Sequence, residues 1–196
     1  MKLRIWLIAT ALALLGGCST MDAMKAQNPD TALKPVNAVP EGEGTRLMLK
    51  GHDVVSYWTK NTHALGLAQF SSLYEGVTFR FASAENKALF DAAPTKYLPQ
   101  YGGFCADGIN YGIPWGGDAD TWMIKDGRLF IFGGASSKAA FLLDTNRNIE
   151  LADRYWKDEI AGNNSFVQRS KRLVFRVPHY KSGSQLAAEV AAAKGK

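Results

Sequence analysis

The 196-residue chain has two cysteines, three histidines and no apolar run of membrane-spanning length. Each shortage excludes something. A helix that crosses a bilayer needs about 20 consecutive apolar residues, and the longest apolar run, 5–15, stops at Gly16. There is no CxxC, no HxxxH and no methionine-rich stretch, so the compact motifs that announce zinc or soft-metal sites are missing. Lys and Arg outnumber Asp and Glu by only 23 to 18. Neither an internal repeat nor a low-complexity block is visible beyond an Ala-rich end.

What is there begins with an export signal. Lys2 and Arg4 precede the apolar run, and the small residues Gly16 and Gly17 stand directly before Cys18. This is the layout of a secretory signal with its cleavage site. Leu15-Gly16-Gly17-Cys18 also has the form of a lipobox, in which the cysteine sulfur is acylated and the new amino terminus is modified in turn. Two or more acyl chains give stable attachment. The expectation is therefore a signal peptide at 1–17, lipidation at Cys18, and a product held on a membrane in the periplasm. Ser19, rather than Asp, favours the outer membrane. With Cys18 consumed, Cys105 is the only thiol left and no intramolecular disulfide can form. A nucleic acid is not an expected partner of such a chain.

Residues 18–45 contain Pro29, Pro35, Pro40, Gly42 and Gly44 and few large apolar side chains, which reads as a flexible tether. A domain follows over 46–162, then a basic extension over 163–196. That extension carries Arg169, Lys171, Arg172, Arg176, Lys181, Lys194 and Lys196 against Glu189 alone. It reads as a solvated tail, with contact to anionic head groups as the alternative.

Within the domain the signals are short and mixed. Residues 47–49 suit a strand, and 69–74 with 77–81 flank Glu75-Gly76 as a hairpin. Ser83 suits the N-cap of a helix reaching about Ala92. A second hairpin turns at Asp126-Gly127 between 121–125 and 128–132. Helical spacing runs through 137–143 and 145–160, a further strand is expected over 165–177, and 185–193 reads as a short helix. Hairpins punctuated by short helices predict an α+β fold.

One region resembles a known family. The blocks Leu49-Lys50-Gly51-His52-Asp53, Ser56-Tyr57-Trp58, Gly76-Val77-Thr78-Phe79-Arg80-Phe81 and Tyr101-Gly102-Gly103-Phe104-Cys105, with Trp122 and Asp126-Gly127-Arg128-Leu129-Phe130, occur in the order seen in the exported branch of YHS-domain proteins. The resemblance implies a small α+β module that is commonly suspected of binding metal. Two departures qualify that implication. Ala82 and Asn86 stand where the metal-associated branch has cysteines, and His52-Asp53-Val54 stands where the exported branch has Tyr-Asp-Pro.

Candidate chemistry gathers around Cys105 with His52 and Asp53. A thiolate and an imidazole suit copper or zinc, so the cofactor, if any, is expected to be one of these ions. Tyr57, Tyr101, Asp107 and Trp115 are the candidate ligand contacts. The paired glycines at 102 and 103 mark a backbone that passes close to something, either a ligand or another strand. His63 and His179 read as surface residues. Cys105, His52 and Asp53 also supply the formal parts of a catalytic triad, but nothing fixes their mutual distance, so no enzyme is inferred. The leading expectation is a membrane-anchored module that binds a metal ion or a small ligand. Its competitor is a scaffold that presents Trp115, Tyr111 and the basic end to a partner.

Overall fold

A computed structural model describes residues 32–33, 35–41 and 46–195. The predicted signal segment, Cys18 and most of the predicted tether lie outside them. The first sheet is built from β1 (Ala38–Pro40), β2 (Arg46–Met48), β3 (Leu67–Tyr74) and β4 (Val77–Phe81). They lie in the order β1-β2-β4-β3, antiparallel except for β2 beside β4. The β3–β4 hairpin closes at Glu75 and Gly76, both at positive φ, as a tight hairpin turn demands. Along β4 the residues Val77, Phe79 and Phe81 are buried while Thr78 and Arg80 are half-exposed, the period-two alternation of a strand with one covered face.

The second sheet is a hairpin of β5 (Asp118–Lys125) and β6 (Arg128–Phe132), which turns at Asp126 and Gly127. It stands between two cores. Leu129 and Ile131 join Val55, Phe79, Phe81 and Phe90 on the side of the first sheet, whereas Phe130 and Phe132 join Phe141, Ala152, Tyr155 and Ile160 on the other. Both faces of β6 are covered, which explains why its sequence is a nearly continuous apolar run.

Helices α1 (Ser56–Thr59), α2 (Ala84–Ala92) and α3 (Pro94–Tyr97) accompany the first sheet. Ser83 caps α2 by accepting a hydrogen bond from the Asn86 amide, as expected from its position. Helices α4 (Ala106–Ile109), α5 (Ala135–Phe141) and α6 (Thr145–Tyr155) build the other half, and a π-helical turn at Trp156–Ile160 prolongs α6. Two more follow, α7 (Ser165–Val174) and α8 (Gly183–Lys194). The α+β fold class expected from the sequence holds. No helix among the described residues is long and apolar enough to cross a membrane.

Three local expectations are corrected. The predicted strand at 165–177 is helix α7. Asn164 caps it through hydrogen bonds from the Phe166 and Val167 amides at 3.0 and 3.1 Å. Gln168 and Arg172, one turn apart on a common face, both reach Glu159 at 2.9 and 3.0 Å. Cap and ion pair together outweigh the β-branched residues that suggested a strand. Part of the stretch read as tether is built into the domain: β1 pairs with β2, Val36 is buried, and the Asn37 side-chain amide donates to Gly103 and Gly117 carbonyls at 2.9 and 3.0 Å. The basic extension also docks. Val177 is buried, and the Gln168 side-chain amide donates to the Gly112 carbonyl at 3.1 Å.

Candidate ligand site

Asp53 is fully buried, and its carboxylate is spoken for. Oδ1 accepts from the Val55 and Ser56 amides at 2.8 and 3.3 Å, and Oδ2 accepts from the Ala82 amide at 2.9 Å and the Asn86 side-chain amide at 2.6 Å. Asp53 therefore caps the turn into α1 and ties it to the end of β4, leaving no lone pair for a metal. His52 donates from Nδ1 to the Leu49 carbonyl at 3.0 Å and lies near the His63 ring, with centroids 6.0 Å apart. Cys105 is buried where its backbone bridges to Ile131 of β6. Among the described residues, no group of three or more His, Cys, Asp and Glu is placed to hold a metal ion. The expected set of Cys105, His52 and Asp53 is thus not assembled as a chelate for copper or zinc.

Three of the four expected ligand contacts have other employment. Tyr57 is buried and donates its hydroxyl to the Ala119 carbonyl at 2.7 Å. Tyr101 is buried and donates to Asp153 at 2.8 Å, within a network that Arg128 completes. Burial raises both phenols above their ordinary range. Trp115 is 41% exposed, with the Arg169 guanidinium 5.5 Å from its ring centroid. The close approach predicted at Gly102 is real, and its partner is the chain itself. A Cβ on Gly102 would lie 2.4 Å from the Pro35 carbonyl, and φ there is +60°. His179 is not a free surface residue either, since Nε2 donates to the Asn110 carbonyl at 2.9 Å and its ring stacks on Tyr111.

Asp107 is the exception. It sits in the first turn of α4 and is 8% exposed, with no ion-pair partner among the described residues; burial lifts its carboxyl to about 7, only partly offset by the Asn110 side chain. The Asn110 amide reaches its Oδ1 at 3.3 Å, while the buried Asn110 Oδ1 finds no partner. A buried acceptor left unpaired costs about 1–3 kcal/mol. Asp107 opens onto a cavity of about 680 Å³. Gly133, Ser136 and Ser137 lie on one side of this cavity, and Leu186, Ala187 and Val190 of α8 on the other, with Lys194 also in its lining.

The thiol of Cys105 lies behind this wall rather than in it. A Cβ on Gly133 would come within 3.5 Å of the sulfur. Burial raises the thiol above its ordinary range, against hydrogen bonds from the Gly108 and Gly133 backbones and the Ser137 side chain. It is therefore a neutral thiol at neutral pH, not a thiolate nucleophile. The site so drawn is a largely apolar groove along the packed helices α5 and α8, with the Asp107 carboxyl and Lys194 in its lining. Sequence reasoning reached Asp107 but missed α8 as the opposite wall. The available signal was the run of small residues at 187, 188, 191, 192 and 193, which lets a helix lie close to a neighbour without filling the space between. Compared with family models, with curated proteins and with solved structures, the chain matches none of them.

Proposed function

We propose that this chain is an exported, lipid-anchored binding module of the YHS type, and that it takes up a small organic ligand rather than a metal ion in the cavity between α5 and α8. The observation that carries the reading is Asp107, a buried carboxyl with no ion-pair partner among the described residues, in the lining of a largely apolar cavity. Ligand sites are concave and mostly apolar, with volumes of about 300–1,000 Å³ and a few convergent polar groups that fix orientation. A buried carboxyl shifted toward neutrality inside such a space is a functional-site signature with a physical cause. The ligand that fits has an apolar body for Leu186, Ala187 and Val190 and a cationic or donor head for Asp107. A cationic head favours the carboxylate and would restore an ordinary pKa, so binding and proton release are linked.

A dansyl-tagged alkylamine provides the test, because its fluorescence rises when the tag leaves water. The reading expects saturable enhancement by the full chain, abolished in Ala187→Trp, which fills the slot, and weakened in Asp107→Asn. Affinity should fall as pH drops through about 7, approaching tenfold per unit in acid, because the carboxylate that pairs with the amine is being protonated. Enhancement that neither substitution changes would place the probe elsewhere and refute the assignment.

A further inference from the structure

Helix α7 ends in an apolar tip with nothing over it among the described residues. Val174 is 74% and Phe175 68% exposed, and Leu173 and Val167 are also exposed. Large apolar side chains clustered at one surface mark an interaction site more often than isolated ones do. The tip is also held in place. Phe175 caps α7 through its amide, which donates to the Lys171 carbonyl at 2.8 Å, and Arg172 reaches back to the Phe175 carbonyl at 3.3 Å. Arg172 in turn is fixed by Glu159.

Charge surrounds the tip. Arg169, Lys171, Arg172, Arg176 and Lys181 fall within 165–181, a span that contains no acidic residue. Glu159 engages Lys171 and Arg172, Lys181 pairs with Glu189, and Arg176 lies over the Tyr180 ring. A basic surplus remains around the apolar tip. On the same surface, Arg169 links α7 to the half-exposed Trp115. A short helix with protruding aliphatic and aromatic side chains, Lys and Arg around them and Trp beside them has the composition that lies in a membrane interface.

From this we infer that the tip of α7 docks on an anionic bilayer surface, with Phe175, Val174 and Leu173 entering the head-group region and Lys171 and Arg176 meeting lipid phosphates. The route of the chain agrees. Ala32 and Leu33 lie beside Trp156 and Ala161, just ahead of α7. Roughly fourteen residues separate Cys18 from residue 32, enough to span up to about 50 Å when extended. An amino-terminal attachment would therefore hold the tip within reach of the surface and raise its effective concentration there. The face would orient the domain, leaving the anchor to supply retention.

Photo-crosslinking tests this locally, whatever holds the amino terminus. The full chain with Phe175 replaced by benzoylphenylalanine is added to phosphatidylcholine vesicles with or without phosphatidylglycerol and irradiated. Mass spectrometry then reads lipid adducts on the peptide containing position 175. The inference expects strong adducts only on the anionic vesicles. Replacing Lys171 and Arg176 by Gln should weaken surface binding by roughly fivefold per charge removed. Circular dichroism of each variant confirms that α7 is intact, which is expected because the altered side chains are exposed. Adducts of equal yield on neutral vesicles, or none on either, would overturn it. Cys18 acylation is read separately from the intact mass, so failure of the anchored reading and failure of this face are distinguishable.

Discussion

The two cores treat their buried carboxyl groups in opposite ways, although each also holds one unpaired buried atom among the described residues, Trp58 Nε1 beside the first sheet and Asn110 Oδ1 on the helical side. On the side of the first sheet, Asp53 accepts four hydrogen bonds and Tyr57 finds the Ala119 carbonyl. On the helical side, Asp107 is lifted to about 7 by burial and lines a cavity bordered by the packed helices α5 and α8. A satisfied buried network rigidifies and specifies a fold, whereas a partly satisfied one is where a ligand can still improve matters. The difference supports the proposed ligand site in the second half. It also explains why the residues with the most reactive reputations, His52, Asp53 and Cys105, are not those with open valences.

The contrast breaks most visibly at Asp53. Asp53→Ala strands the Val55 and Ala82 amides and the Asn86 side chain, and should cost about 3 kcal/mol or more in urea unfolding. A loss below about 1 kcal/mol would mean the network is not what holds α1 to β4. Next comes Asp107, with the reverse sign. Its folded pKa lies above the ordinary value of about 4, so its favourable contribution is complete below that value. It is lost as pH rises from about 4 to about 7, and above 7 the folded state carries the full burden of a buried charge. Asp107→Asn should flatten the fall in stability over that window by about 4 kcal/mol. A wild-type curve already flat there would remove Asp107 from the list of strained groups.

A smaller effect is expected at the ion pair that seats α7. Arg172→Ala removes hydrogen bonds to the half-buried Glu159, whose carboxyl is held below its ordinary range because Gln168 and Arg172 outweigh the cost of burial. We expect a loss of about 2 kcal/mol, together with faster amide exchange across 165–174; unchanged exchange would show that α7 does not depend on this pair. The smallest effect is at Cys105. Cys105→Ala should cost about 1 kcal/mol, and iodoacetamide should label Cys105 only in denaturant, since the thiol is buried and neutral. Rapid labelling of the folded protein would contradict that placement.

Much of the fold was legible because its signals are local. Glu75-Gly76 and Asp126-Gly127 mark turns through their backbone demands, and Ser83 announces α2 through a hydrogen bond three residues away. Misreadings came where the deciding partner is distant in sequence. Residues 165–174 become helix with Asn164 as cap and Glu159 as tie, and 38–40 become strand only because β2 offers an edge. The site followed the same rule. Asp107 stood out as an acidic residue near Cys105, but the helix α4 that carries it is packed by α5 and α6, some thirty to fifty residues on, and no local pattern shows that. His52 and Asp53 suggested a site through residue type alone, and their hydrogen bonds to nearby backbone absorb that chemistry.

Native mass spectrometry of the chain purified from an export-competent host tests the central claim most directly. The account predicts a small organic adduct on the wild-type protein that disappears in Ala187→Trp and persists in Cys105→Ser. Stoichiometric copper or zinc, retained in Ala187→Trp and lost in Cys105→Ser, would contradict it.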